Sequence, residues 1–488
     1  MKIILSLFFL IDCSLPTGSL NSRLSSQGNN TNFILSLLAI DYSNKFNCKT
    51  NPSSFWARNL LSSSASSYCV ESSLVGSSSK IDLYLEKNLT TDLNYSQIVQ
   101  AFDSILEIEK ETISEPTDIN KDGKITVLIL DIKDGATANS GFIAGYVDPI
   151  NFFSDNPAFS SRSNEREILY MDGVELVNLR RRDLAQGRPD SFLSTLAHEL
   201  QHLIRFPISG GLDDVWIDEG TSESISDITG YGPQTSRINC FKGDPTSSIS
   251  CTGGMNAFST NSPSLFNWRG TLKNYAFSYS FIKYLYGSSG NTESQKRSFL
   301  KNTVKGINNT RATNVTGLMS VFMNSNNYNS NLLGSDTDII FKRLFGNFMG
   351  QAVGYNNLNT TYFGNNNVSS LEAVKSAYPL PTELLSLATP TPFSAVSDAT
   401  SFSLSAGQVL RVNGTTSGIT NNQSDFIAIQ GTNSYLVMNA STRSSNSVTV
   451  NLDFEQGTER ICPHSIFQNE FLQFQKSKNL KSLIQIHD

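Results

Sequence analysis

Charged residues are scarce in this 488-residue chain: Asp, Glu, Lys and Arg make up 16% of it, against about 25% in an average globular protein. Ser, Asn, Thr and Gly fill the shortfall, giving the weakly charged, hydroxyl- and amide-rich surface expected of an exported protein. The formal net charge is −6, with no cluster of Lys and Arg. That excludes nucleic acid as a partner, because phosphate binding needs a concentrated excess of cationic side chains. Long apolar runs are also missing. Nothing in the chain approaches the roughly 20 apolar residues a membrane-crossing helix needs, so the mature body is expected to be soluble. There is no Cys-x-x-Cys pair, which argues against a thiolate metal site. Histidine occurs only four times, so two of them in one short pattern carry weight.

The length allows two or three domains, each with its own core. At the start, Lys2 precedes a short apolar run, Ile3 to Ile11, and polar residues follow. Residues 1–27 therefore read as an export signal and leader. Leu10-Ile11-Asp12-Cys13 also resembles a relaxed lipobox, in which Cys13 would be acylated and attach the chain to a membrane. Of the other cysteines, Cys48 with Cys69 and Cys240 with Cys251 are spaced to close disulfides in an oxidising compartment, and Cys462 is left over. Residues 28–189 carry strand patterns at Lys80 to Leu85, Ile125 to Ile132, Phe142 to Val147 and Ile168 to Met171, with an amphipathic helix from Tyr95 to Thr112. Helical patterns dominate 190–385. Strand alternation, as in Val409 to Val412 and Ser447 to Leu452, suggests a β-sandwich-like module over 390–458. The tail, 459–488, continues neither pattern and is left unassigned. The expected class is α+β.

The segment Asp190 to Arg205 carries the chemistry. Asp190 or Ser191 can cap a helix, and Phe192, Leu196, Leu200 and Leu203 give it an apolar stripe. His198 and His202, at i and i+4, project side by side and can bind one Zn²⁺. Glu199 lies one residue along, where its carboxylate can reach a metal-activated water rather than the metal and act as general base. Two solvated or core histidines on an ordinary helix are the bland alternative. A catalytic zinc site takes three protein ligands. Arg205 and Ile208 stand where a HExxHxxGxxH spacing would require Gly and His, and the remaining histidines, His464 and His487, lie in the tail. A carboxylate is thus the expected third ligand. Sixteen residues separate His202 from Glu219, which is followed one helical turn later by Glu223. Glu219 as ligand leaves Glu223 placed to accept a hydrogen bond from a ligating imidazole; Asp218 and Asp227 are weaker candidates. An acidic, solvated helix face is the alternative here.

His-Glu-Leu-Gln-His202 followed by Trp-Ile-Asp-Glu-Gly220 resembles the gluzincin zinc metallopeptidases, the superfamily of thermolysin and aminopeptidase N. Within it the chain looks most like the hyicolysin-type bacterial secreted neutral metallopeptidases, over roughly residues 80 to 290. The resemblance implies a zincin-type catalytic domain, a protein or peptide substrate, and Tyr275 as hydrogen-bond donor to the tetrahedral oxyanion, with Tyr279 the competing choice one turn on. No strand of the kind that anchors a substrate's free amine in the aminopeptidase relatives is found, which favours an endopeptidase. The location implied is secreted or outer-surface, with lipid anchoring through Cys13 as a variant. Two rivals stand beside it: a surface adhesion or binding protein on the same scaffold, and zinc hydrolysis of a non-peptide amide. Asp118-x-Asn120-x-Asp122-Gly123 matches the first half of a calcium loop, but Ile129 occupies position 12, so a polar turn feeding a strand is expected, with Ca²⁺ as its alternative.

Overall fold

The computed structural model describes Cys48, residues 51–454 apart from short segments (62–65, 137–140, 245–250, 252–253, 256–262, 365–366, 386–400, 414–415 and 421–422), and the strand 484–487. Cys13 and the expected leader lie outside the described residues, as does most of the tail. From Asn51 onward the chain forms one compact unit. It is α+β: a mixed sheet with helices on it, a helical body, and further antiparallel sheets.

Seven strands build the main sheet: β1 (Ser54–Arg58), β2 (Ser67–Ser77), β3 (Ile81–Glu86), β4 (Ile125–Leu130), β5 (Phe142–Val147), β6 (Ile168–Asp172) and, far along the chain, Ile484–His487. Their spatial order is β1-β2-β3-β4-β6-β5 and then 484–487. β3, β4 and β6 run parallel; β5 is antiparallel to β6. The central strands are buried on both faces, as parallel strands are. In β4 the two-residue period splits the side chains cleanly. Val127 and Ile129 join a core shared with Phe102, Leu196 and Leu200 of the covering helices. Leu128 and Leu130 enter the opposite core with Phe55, Tyr146 and Tyr170. The polar turn before β4 spends its carboxylates locally: Asp118 Oδ1 accepts from Gly123 N at 3.2 Å and Asp122 Oδ1 from Lys124 N at 2.8 Å.

Two helices cover the first of these faces: α1 (Tyr95–Thr112), capped by Asn94, and α3 (Ser191–Ser209), with α2 (Glu175–Ala185) beside them. Asp190 caps α3 as expected, its Oδ1 accepting from Phe192 N and Leu193 N. Gly210, at φ 61°, ends it in the left-handed conformation. Phe192, Leu196, Leu200 and Leu203 are fully buried, each contributing about 1.5–3 kcal/mol, so the apolar stripe rather than helix propensity fixes which way α3 faces.

Next come α4 (Val215–Ile228), α5 (Thr235–Phe241) and α6 (Leu272–Ser289). They contribute to the largest core, in which Trp216, Phe277 and Phe281 meet Phe341, Phe345 and Phe348 among others. That core also takes in Val409, Ile427 and Leu436 from the C-terminal strands. Their five-stranded sheet includes two short strands, Thr361–Phe363 and Asn367–Ser369, that precede residue 390. Cys240 and Cys251 form a disulfide with S–S 2.01 Å; Cys48 and Cys69 are also in disulfide form.

α4 and α6 approach closely at Gly220, where a Cβ would lie 2.8 Å from Ile282 Cγ1 and 2.9 Å from the Ser278 carbonyl oxygen. A backbone atom cannot step aside, so Gly220→Ala should force the helices apart at a cost of about 1–3 kcal/mol. Calorimetry should show a lower melting temperature; an unchanged one would mean that this contact is absent.

Candidate metal centre

α3 and α4 lie side by side, with His198 and His202 on the first and Glu219 on the second. All three are without exposed surface. Their donor atoms converge: His198 Nε2 lies 3.1 Å from His202 Nε2, and Glu219 Oε2 lies 3.3 Å from the first and 3.5 Å from the second. Ligands held about 2.05 Å from one tetrahedral ion sit about 3.3 Å apart. The three side chains therefore fit the donor set and spacing of a zinc ion, with a fourth position left for a reactant. Both oxygens of Glu219 and both of Glu199 are buried without a hydrogen bond. Buried carboxylates are costly in that state unless a cation or proton meets them. Burial pushes the Glu219 carboxyl up to about 8, although His202 pulls in the other direction.

Glu199, also fully buried, is set beside the imidazoles by its place in the chain and is backed by strand β5. A Cβ at Gly145 would stand 3.0 Å from Glu199 Cγ and 3.2 Å from Thr195 Cγ2. Gly145 thus lets strand β5 run close against the Glu199 side chain. Burial raises the Glu199 pKa well above the usual carboxylate range, and the charges of Glu219, Glu223 and Asp218 add to it against the pull of His202.

The surrounding charges form two clamps. In the first, Asp218 Oδ1 lies 3.2 Å from His202 Nδ1. Burial works against a charge on His202, but Asp218 and then Glu219 more than offset it and raise its pKa. Arg205, itself buried, reaches the same Asp218 oxygen at 3.4 Å and is held by Asp213 at 3.0 Å and Thr221 at 2.9 Å. Burial raises the Asp218 pKa, yet His202 and Arg205 together bring it below the ordinary range. In the second clamp, Arg237 Nε donates to Glu223 Oε1 at 3.0 Å. That oxygen is 3.9 Å from His198 Nδ1. The Arg237 guanidinium also lies 5.3 Å from the centre of the Tyr275 ring. Asp218, ranked as a weaker candidate from sequence, thus stands nearer to a ring nitrogen than Glu223 does.

Tyr275 on α6 is buried. Burial first, and the Glu219 carboxylate next, raise its pKa well above the ordinary tyrosine range. Tyr279 is committed elsewhere: its hydroxyl donates to Asp227 Oδ2 at 2.7 Å and accepts from Gln234 N at 3.1 Å. Asp227 also pairs with Lys283, which removes it from the donor set. Reading the sequence missed Gly145 and Arg237. A glycine inside the strand pattern Phe142 to Val147 is a usable sign of close backbone approach. No local signal marks Arg237.

The chain is 30% identical over 254 residues to the neutral metalloprotease ShpI of Staphylococcus hyicus, an alignment covering 49% of this chain and 53% of that protein. The likeness supports a metallopeptidase family. The chain spans about half the length of the curated relative it matches. No family model matches it.

If Asp218 orients His202, Asp218→Asn should weaken zinc binding about 10–100-fold, and Glu219→Ala should lose the metal on dialysis. Both are read by metal content and competition with a chromogenic chelator. Undiminished zinc in Glu219→Ala would shift the third ligand to Glu223.

Proposed function

We propose that the protein is a zinc-dependent endopeptidase of the gluzincin type, most like the hyicolysin-type enzymes, acting outside the cytoplasm. The observation that supports this most is the tetrahedral spacing of His198, His202 and Glu219 with Glu199 adjacent and unsatisfied. The likeness to a neutral metalloprotease agrees with it. The Cys240–Cys251 disulfide supports an oxidising compartment, and acylation of Cys13 would add a membrane anchor.

In this reading His198, His202 and Glu219 would hold a zinc ion, which would supply Lewis acidity toward a water and a scissile carbonyl. Glu199 takes the proton from the attacking water and passes it to the leaving amine. A carboxylate with raised proton affinity suits both halves of that transfer. The Tyr275 hydroxyl donates to the oxygen on which negative charge develops; it works in a buried setting where a hydrogen bond to charge is stronger than in water. Asp218 keeps His202 in one tautomer with Nε2 turned inward, and Arg205 keeps Asp218 ionised. Arg237 holds Glu223 and the Tyr275 ring in fixed relation. The edge of β5 beside Glu199 suits an extended peptide, whose main chain can add to a sheet.

The test is casein hydrolysis by the purified chain with and without a chelator. Glu199→Gln should reduce kcat about 10²–10⁴-fold while zinc content stays the same. Tyr275→Phe should lower kcat about 10²–10³-fold, as removal of an oxyanion donor does. Chelator-insensitive cleavage, or a fully active Glu199→Gln, would overturn the reading; zinc bound without any cleavage would favour a binding protein.

A further inference from the structure

The outer edge of β5 is occupied by the chain itself. Residues Ile484–His487 pair antiparallel with it: Ile484 opposite Tyr146, Gln485 opposite Gly145, Ile486 opposite Ile143 and His487 opposite Phe142, with an irregularity between Gln485 and Ile486. Without this segment β5 has one partner among the described strands, β6, and would be the exposed edge of the sheet. The register matters. Gln485 stands opposite the residue of β5 that Glu199 packs against, since it is at Gly145 that a side chain would strike Glu199 Cγ. The backbone of 484–487 therefore crosses the sheet edge level with the general base. A second observation points the same way. His198, Glu199, His202 and Glu219 have no exposed surface, whereas a hydrolase of large substrates must present one face of its metal to them.

We propose that strand 484–487 is a built-in competitor of substrate: it takes the β5 edge that an extended peptide would use and keeps the site closed until it is displaced. This rests on the peptidase reading above. Main-chain hydrogen bonds supply the affinity in such strand addition, so the contact needs no particular side chain and has the same form as the one a substrate would make. Only four residues pair, so the hold is weak in itself. Tethering compensates for this, because a segment carried by the same chain pairs intramolecularly and is not diluted as a free peptide is. Dilute substrates would be excluded, and abundant or tightly pairing ones admitted.

The experiment compares the full chain with a chain lacking residues 484–487. A second variant carries Gln485→Pro and Ile486→Pro, which remove two backbone donors from the segment. Two readouts are taken. In the first, fluorescence anisotropy follows a labelled synthetic peptide of residues 480–488; it should bind both variants and bind the full chain at least tenfold more weakly. In the second, chelator-sensitive casein turnover should rise at least tenfold in kcat/KM in both variants, and the same peptide added in trans should inhibit them competitively. Equal binding of the peptide to all three chains, or to none, overturns the proposal, as does equal turnover. If no chain cleaves casein, the peptidase reading fails by itself and the anisotropy still decides whether 484–487 masks the β5 edge. Should the shortened chain fail to fold, the proline variant, whose length is unchanged, answers the same question.

Discussion

Three side chains that prefer water are brought together away from the surface. Glu219 faces two imidazoles within 3.5 Å, and none of the three has exposed surface. Taking a carboxylate out of water costs several kcal/mol even after the protein relaxes around it. A divalent ion in such a donor set returns on the order of 10 kcal/mol, more than enough to offset burial of the ligand. The rest of the neighbourhood follows from keeping those three atoms convergent. α4 has to lie close enough to α3 for Glu219 to reach the histidines, and α6 has to back α4 without a side chain between them, hence glycine at 220.

The same constraint accounts for the charges around the site. A histidine that is to bind through Nε2 has to be prevented from rotating or changing tautomer, and Asp218, 3.2 Å from Nδ1 of His202, is placed to do that. Asp218 would in turn be a costly buried anion without Arg205, and Arg205 is fixed by Asp213, which Arg311 also holds at 2.7 Å. On the other side, Glu223 is matched by Arg237. Asp218, Glu219 and Glu223 thus each have a cation or an imidazole assigned to them. Glu199 differs from these three in making no ion pair among the described residues; like Glu219 it has neither oxygen hydrogen-bonded, and burial raises its proton affinity. A residue placed that way contributes nothing to stability, which is what is expected where function rather than folding sets the requirement.

Much of this was legible in the sequence because it is local. The expected helix over Tyr95 to Thr112 and strands over Phe142 to Val147 and Ile168 to Met171 match the observed elements to within a residue, since periods of 3.6 and 2 are written in consecutive residues. The pairing of His198 with His202 follows from helix geometry alone. What stayed hidden depends on contacts between distant segments. Whether Asp218 or Glu223 lies nearer to a ring nitrogen turns on the rotation of α4 relative to α3, which no spacing fixes. Arg237 reaches Glu223 from a separate short helix. The C-terminal strands expected to form a module have a small core of their own, with Leu404, Leu410, Val412 and Phe426 in it, and also send Val409, Ile427 and Leu436 into the core of the helices, a division that strand alternation does not reveal.

The sheet edge beside Glu199 shows how one local choice couples several of these levels. A protein edge strand left open is a template for any passing chain, and natural sheets usually blunt it with charge, proline or a bulge. β5 carries neither charge nor proline: it reads Phe-Ile-Ala-Gly-Tyr-Val and pairs along its inner side with β6 in an unbroken register from Gly145 to Val147. Gly145 cannot be enlarged without striking Glu199, and a charge on this strand would sit beside a carboxylate whose protonation matters. On the peptidase reading, an edge that accepts substrate backbone has to stay free of charge, and a segment that pairs and then leaves can protect it. A strand from elsewhere in the same chain meets that condition, because it pairs with the edge as an extended substrate would.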